Sequence, residues 1–315
     1  RQSIQFHGVV KSGLGPLMKK INESLLSTLA ACGDVNRNVM ASPAPGDTPA
    51  RAQLYADCVR VADALAPVTQ AYHAIWVDGV QLNLSEEANT GFTDPLYGQT
   101  YLPRKFKIAF VIPPSNDMDV FTNDLGFIAV VEDGLLVGYN LTVGGGMGRS
   151  HGNVVTYPRL ASELGFFPRE KLVAIAQAVL TVHRDFGDRT NRKHARLKYI
   201  VEERGVAWMR AEVNQRAGFT LAPTRPYRFT TTGATLGWQH ANDGSQFLTI
   251  FVEAGRVKDV AGRRQKAALR TVAEKFPHIE FRLTANQNVI LADVADDDRP
   301  GIDALLRAHG VKTAD

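Results

Sequence analysis

The chain has 315 residues, enough for two medium domains or one large one with a real core. Apolar residues make up 44% and charged residues 22%, the balance of a soluble globular protein rather than a disordered one. The 36 basic and 32 acidic residues leave a formal charge of +4, which permits an anionic ligand without demanding nucleic acid. No apolar run reaches the length of a membrane span. Two cysteines, Cys32 and Cys58, are too few for a disulfide framework and lack metal-ligand spacing, so a reduced, cytoplasmic setting is expected.

The chain opens at Arg1 rather than Met, inside a stretch, Ser3–Val10, that reads as a strand; the sequence is expected to be a fragment. Gly13, Gly15 and Pro16 follow. Leu17, Ile21, Leu25 and Leu29 then recur every four residues and predict a helix over 16–32. Asp34–Ser42 reads as extended and is broken by Pro43, Pro45 and Pro49. A helix is predicted over 50–73, with Leu54, Cys58, Val61, Leu65 and Val68 inward, then a long loop over 78–100. Strands are predicted at 105–112, 126–131 and 135–143, the last two joined at Asp133-Gly134 as a tight hairpin. Pro168 opens a helix over 168–184, followed by a basic helix over Arg189–Arg204 and another over 205–217. Pro223 and Pro226 mark a domain boundary. Beyond it, strands at 246–253, 279–284 and 288–294 surround a helix at 264–275, and a last helix spans 300–309.

An internal repeat connects the two ends. RQSIQFHGV (Arg1–Val9) can be laid on NQNVILADV (Asn286–Val294), with Gln second and Val last in both. Each copy precedes a helix that ends near a small residue and Gly, at Gly33 and Gly310. The alternative is chance likeness between two generic strand–helix units.

Several strings are candidates for chemistry. In Leu102–Lys107 (LPRKFK), Lys105 and Lys107 share one face of a strand whose other face carries Phe106 and Ile108. Two ammonium groups side by side at a core edge repel, and an anion between them would relieve that; the alternative is a solvated strand end with lysine gatekeepers. Arg37, flanked by Asn36 and Asn38 and set among Val35, Val39 and Met40, needs an anion or a carboxylate partner. Gln5 and His7 place polar groups on the first strand. Asn286, Gln287 and Asn288 do so in its second copy, as a ligand wall or as a half-exposed edge. Gly144, Gly145 and Gly146 fit neither a dinucleotide fingerprint nor a P-loop, but allow close backbone approach to a bulky ligand, or form a surface turn. The basic run over 184–204 lacks interleaved aromatics for stacking bases. Cations from distant segments suit a large polycarboxylate tetrapyrrole better than a nucleotide, which would use one phosphate loop.

The strings RQSIQFHG, DVNRNV, GQTYLPRKFK, IPPSNDMDVFTNDLGF, VGYNLTVGGGMGRSHGN, FGDRTNRKHARLKY and RLTANQN occur in this order across nearly the whole chain. Together they resemble the assimilatory sulfite reductase hemoproteins, and within them the NADPH-dependent group. The resemblance implies an α+β fold, with a sirohaem-binding α/β domain inserted between two pseudo-symmetric ferredoxin-like halves. It divides the chain into 1–33 (part of the first half), 34–225 (sirohaem and sulfite domain), 226–310 (second half) and 311–315 (start of a cluster-binding domain). It implies six-electron reduction of sulfite to sulfide in sulfur assimilation, with sirohaem and a 4Fe–4S cluster as cofactors. A flavoprotein (FAD/FMN) subunit or ferredoxin would be the electron donor, with no nucleic acid or membrane partner. Carried across residue by residue, Arg37, Lys105 and Lys107 match the cations that hold sulfite. Arg1, Arg104 and Arg196 match positions that pair with sirohaem carboxylates, with Gln5, His7, Asn38 and Lys198 nearby. Gly144, Gly145, Gly146, Asn286, Gln287 and Asn288 match other cofactor-lining strings.

The chain departs from that family in lacking its four C-terminal cluster cysteines, and neither Cys32 nor Cys58 stands at their positions. The isolated chain is therefore expected to be inactive. Alternatives are a non-catalytic tetrapyrrole- or polyanion-binding protein, a related sirohaem nitrite reductase, or a ferredoxin-like nucleic-acid binder.

Overall fold

The computed structural model describes residues 2–28, 31, 33–46, 48–68, 93–241 and 244–313, with the backbone of two short strands between 75 and 82. After helix α1 (Leu14–Glu23) come β1 (Asn36–Met40), α2 (Pro49–Ala64), and the short hairpin β2 (Ile75–Val77) and β3 (Val80–Leu82). Then follow β4 (Phe106–Val111), β5 (Ser115–Asn116), β6 (Leu125–Glu132), β7 (Leu135–Val143) and β8 (Ser162–Pro168). Helices α3 (Leu172–Phe186), α4 (Leu197–Arg204) and α5 (Val206–Ala217) are next. Past β9 (Thr231–Thr232) lie β10 (Gly237–His240), β11 (Gln246–Ile250), β12 (Asp259–Val260), β13 (Arg263–Arg264), α6 (Gln265–Lys275), β14 (Glu280–Leu283), β15 (Val289–Val294) and α7 (Arg299–Ala308). None of the described helices is long and apolar enough to cross a membrane.

The main sheet has the order β1-β4-β6-β7-β8. β1, β4 and β6 run parallel, and β6, β7 and β8 antiparallel. Alternation sets its two faces. Phe106, Ile108 and Phe110 join Leu125, Phe127, Tyr139 and Leu141 in a large core against α2, α3 and α5, where Leu54, Ile175, Val179 and Val213 are buried. Ala109, Val111, Met40 and Ile128 face the other way, under Tyr227 and Phe229. The second sheet, β10-β11-β15-β14, packs Leu248, Ile250 and Leu291 against α6 and α7 in a separate core.

Strands β4, β6 and β7, the Asp133-Gly134 turn, and helices α3, α5, α6 and α7 fall close to where the periodicity predicts them. Both turn residues take positive φ, 50° and 78°, as a tight hairpin requires. Four expectations need correction. Ser3–Val10 forms no strand: its apolar residues Ile4, Phe6, Val9 and Val10 are exposed, and no described strand lies beside it to supply hydrogen bonds. Helix α1 stops at Glu23, and Leu25 turns left-handed (φ 57°). Helix α2 stops at Ala64, just before Pro67, while 69–73 of the predicted helix lie outside the described residues. Residues 189–196 are a turn rather than helix: Asp188 Oδ1 accepts from the backbone N–H of Thr190 (2.7 Å) and Asn191 (3.0 Å). β8 and β10 were missed by the periodicity, and β3 falls inside the predicted 78–100 loop.

The two aligned segments differ in that only the second is a strand, but they share left-handed positions. Gln2 and Gln287, matched in the alignment, both take positive φ (51° and 70°), and so do the matched Gly8 and Asp293 (71° and 60°). In the second copy, Asp293 sits where the β11–β15 register slips. Gln2 also docks the first copy on the end of β1, donating to Ala41 O (2.7 Å) and accepting from Ala41 N (3.2 Å).

A buried carboxylate ties α2 to the sheet. Asp57 Oδ2 accepts from the Tyr139 hydroxyl (2.8 Å) and from Arg169 Nε (2.7 Å), and the Asp57 side chain is 1% exposed. Removing the carboxylate would leave the buried Tyr139 hydroxyl without its acceptor and Arg169 without its ion-pair partner. Asp57→Ala is expected to lower unfolding stability by about 3 kcal/mol and Tyr139→Phe by about 1 kcal/mol, measured by urea denaturation.

Candidate functional site

The cations singled out in the sequence gather at one end of the main sheet. Arg37 and Asn38 lie at the start of β1, and Arg104 and Lys105 just before β4. Arg196 reaches Asp124, the residue before β6. In doubly wound sheets ligands sit beyond the carboxyl ends of parallel strands; this cluster lies at the amino ends. A β-bulge brings two of its members together. Asn36 pairs with Phe106 and Val39 with Ile108, so Arg37 and Asn38 both stand opposite the single Lys107. Lys105 and Lys107, flanking the buried Phe106, face away from the helix-covered core. Arg37, Asn38, Arg104, Lys105 and Lys107 are all half-buried, and Arg37 Nε is fully buried.

Electrostatics join the segments. Burial pulls the Arg104 pKa below its ordinary value; Arg192, Arg196 and Arg37 add to this, and Asp34 opposes it. Arg104 therefore feels three cations from two other stretches of chain, the 189–196 turn and β1. Two of these already hold carboxylates. Arg196 grips Asp124 through Nε (3.0 Å) and Nη2 (2.8 Å), and Asp124 is fully buried. Arg192 makes a bidentate pair with Asp34 (2.7 and 2.9 Å). The run over 184–204 is thus no single basic face: Arg189 turns back to the carbonyls of Thr100 and Tyr101.

Lys198 and the glycines form one unit behind this cluster. Lys198 is 1% exposed and donates to the carbonyls of Gly146 (3.2 Å), Gly148 (2.9 Å) and Tyr157. Burial, with Arg196 nearby, lowers its pKa. The glycines are needed for packing within the chain. A Cβ on Gly145 would lie 2.2 Å from Phe121 O, and one on Gly146 would lie 3.1 Å from the Arg196 guanidinium. Close approach is therefore real at these positions, and the approaching groups are the protein's own.

Other expected site residues lie elsewhere. Gln5 and His7 are exposed on the N-terminal segment, and Arg1 lies outside the described residues. Asn286–Asn288 form the β14–β15 turn: Asn288 Oδ1 accepts from Val252 N (3.0 Å), and Asn286 approaches Asp119 (3.4 Å). Gln287 packs against Gly255. Two cavities, of about 280 and 610 Å³, lie between the main domain and the second sheet. Ser42, Arg51 and Asp117 line the first, and Gln2, Arg51 and Arg282 the second. Arg37, Arg104, Lys105, Lys107 and Arg196 line neither.

Three residues of this neighbourhood escaped the sequence reading. Asp124 is the counter-charge of Arg196. Arg159 clamps the glycine tract, donating to Gly144 O (3.1 Å) and exchanging backbone hydrogen bonds with Gly146. His183, buried in α3, donates from Nε2 to the carbonyl of Ala195 at 2.9 Å; a carbonyl only accepts, so Nε2 carries the proton. A charged or polar residue inside an apolar helix stripe was the available signal for His183.

A family model described as "Nitrite and sulphite reductase 4Fe-4S domain" matches residues 55–221, and one described as "Nitrite/Sulfite reductase ferredoxin-like half domain" matches residues 239–309. Proteins named sulfite reductase (NADPH) hemoprotein beta-component are 49% identical in Myxococcus xanthus and 47% identical in Shewanella sp. (strain ANA-3). Each match covers 99% of this chain and 54% of the relative, so the chain spans about half the length of these curated relatives. The solved structure of Mycobacterium tuberculosis NirA protein superposes with a TM-score of 0.69 at 22% identity, over 96% of this chain and 49% of NirA, a likeness of fold. The chain belongs to the nitrite and sulphite reductase family.

Proposed function

We propose that this chain is the sirohaem- and sulfite-binding part of an assimilatory sulfite reductase hemoprotein, working in the cytoplasm with a flavoprotein or ferredoxin as electron donor. The observation that carries the reading is the bulge that sets Arg37 and Asn38 against Lys107, with Arg104 and Arg196 at the same sheet end. Residues 34–225 would hold the macrocycle, 226–310 the second ferredoxin-like half, and 1–33 part of the first. Identity near one half to the hemoprotein beta-components favours sulfite over nitrite as substrate.

The cationic end suits the sirohaem carboxylates, because burial first, and then the neighbouring guanidinium groups, depress the Arg104 pKa, and a carboxylate there would relieve the repulsion. Arg104, with Arg196 and Arg192, would hold carboxylates; Arg37, Lys105 and Lys107 would hold sulfite oxygens. Sirohaem, when bound, supplies the electrons' path to sulfur. The chain's own part is orientation, field and protons. Each sulfite oxygen leaves as water and takes up two protons. A lysine ammonium beside that oxygen donates one and is recharged from solvent. The neighbouring guanidinium groups stay charged and stabilise the growing negative charge.

The 4Fe–4S cluster does not fit this chain's own residues. Cys58 is buried, with its thiol pushed up to about 12, the opposite of a ready thiolate ligand. Among the described residues no cluster of three or more His, Cys, Asp or Glu side chains could hold a metal ion.

Titration of the apo chain with sirohaem, followed by Soret absorbance, is expected to show saturable binding. Arg104→Gln and Lys107→Met are each expected to weaken it about tenfold, and more so at low salt. Equal affinity in both variants and the parent chain would remove the proposed site. Residues 1–315 alone, given sirohaem, sulfite and reduced methyl viologen, are expected to produce no sulfide. Sustained turnover would refute the assignment of cluster chemistry to residues outside this chain.

A further inference from the structure

Among the described residues, His183 is the fully buried imidazole beneath the cationic end, and its contacts run to three separate segments. Its Nε2 proton goes to Ala195 O, the carbonyl immediately before Arg196. Its ring stacks on Phe106, 5.9 Å between centroids, and Phe106 is the residue between Lys105 and Lys107. It also lies under Gly187, where a Cβ would come within 2.2 Å of Pro103 and 3.1 Å of His183 Cδ2; Pro103 precedes Arg104. At its far end the 187–196 turn is held by His194 N donating to Asn191 O (2.8 Å) and Tyr199 N donating to Arg196 O (3.1 Å), and the carbonyl between them, Ala195 O, is held by His183. The helix α4 begins only at Leu197, and Arg196 is its N-cap residue with no capping side chain.

We infer that His183 is the positioning residue of the cationic site: its buried imidazole fastens the turn that carries Arg196 to the strand start that carries Arg104, Lys105 and Lys107. This rests on the functional reading above. Its logic is geometric. Ala195 immediately precedes Arg196, and the imidazole supplies the side-chain donor to its carbonyl, which sets the direction from which Arg196 reaches Asp124 or a ligand beside it. The ring's other face sets the height of Phe106, and the lysines on either side follow. A neutral imidazole is required, because Nδ1 is buried without a hydrogen-bond partner and a second proton there would face no acceptor. Burial does hold the His183 pKa below its ordinary value, against the opposing pull of the Ala195 bond and Asp124, while Arg196 and Arg189 add to the lowering.

The same spot explains why an apolar residue would fail there while a side-chain amide would serve. Glutamine offers an N–H at similar reach from the helix and asks for no ionisation. Leucine or methionine fills the space but leaves Ala195 O, inside the protein, without its donor.

The test uses the apo chain and reads arginine Nε–H signals by ¹⁵N NMR. In the parent chain the Arg196 Nε–H, donating to Asp124, is expected as a sharp, slowly exchanging peak. His183→Gln is expected to keep that peak, and His183→Leu to lose it while far-UV circular dichroism stays unchanged. Sirohaem affinity is expected to fall about tenfold in His183→Leu and to return in His183→Gln. An Arg196 peak untouched in His183→Leu, or lost equally in both variants, would overturn the inference. Should His183→Leu not fold, the imidazole ¹⁵N shifts of the parent chain decide: the Nε2-protonated tautomer is required, and the Nδ1 tautomer refutes it. Failure of the parent chain to bind sirohaem would instead strike the functional reading, leaving the Arg196 result intact.

Discussion

Like charges crowded at one end of a sheet repel, and the fold must hold them there without the ligand. The structure does so by pairing the long arms and burying their roots. Arg196 is neutralised by Asp124, which is fully buried at the start of β6. Arg192 is neutralised by Asp34 before β1. Neither pair adds much net stability: desolvation offsets attraction in the buried Arg196–Asp124 pair, and solvent screens the exposed Arg192–Asp34 pair. Their service here is to fix direction: a bidentate guanidinium–carboxylate pair has one geometry. The lysines are fixed differently, by a strand whose other face, Phe106, Ile108 and Phe110, is fully buried in the main core.

The glycine tract shows how the same region trades ligand space for self-contact. Gly144–Gly146 follow β7 and run against Phe121, Asn123, Arg159 and Lys198. Lys198 spends its three protons on carbonyl oxygens of that loop and of Tyr157. The loop, the lysine and the Arg196 turn therefore form one packed block. A macrocycle that engaged Lys198 directly would have to take it from these carbonyls, whereas Arg104, Lys105 and Lys107 stand half-exposed at the sheet end.

Much of this was legible in the chain. The uniformly apolar Ile108–Ile112 and the lysines before it mark a strand entering a core, and it forms where expected. The Asp133-Gly134 hairpin and the Leu172–Val182 stripe were equally plain. The bulge at Arg37-Asn38 was not legible, since a register slip exists only between two strands and neither sequence alone encodes it. The Arg196–Asp124 pair joins residues 72 apart in sequence, and no local pattern announces such a partner. The 189–196 turn was misread because arginines at three-to-four spacing look helical; the deciding feature was Asp188, whose side chain caps the backbone locally instead. Ser3–Val10 has the alternation of a strand and the matched left-handed positions of its second copy, but a strand is a pairwise structure, and its partner is not among the described residues.

The central claim is that cations from separate segments share one acidic ligand. Chemical-shift mapping of the labelled chain with sirohydrochlorin, the metal-free form of the macrocycle, addresses it without electron transfer or turnover. The account predicts coincident, saturable shifts at Arg37, Arg104, Lys105, Lys107 and Arg196 with a single dissociation constant. Shifts confined to the cavities lined by Ser42, Asp117 and Arg282, with those five residues unmoved, would contradict it.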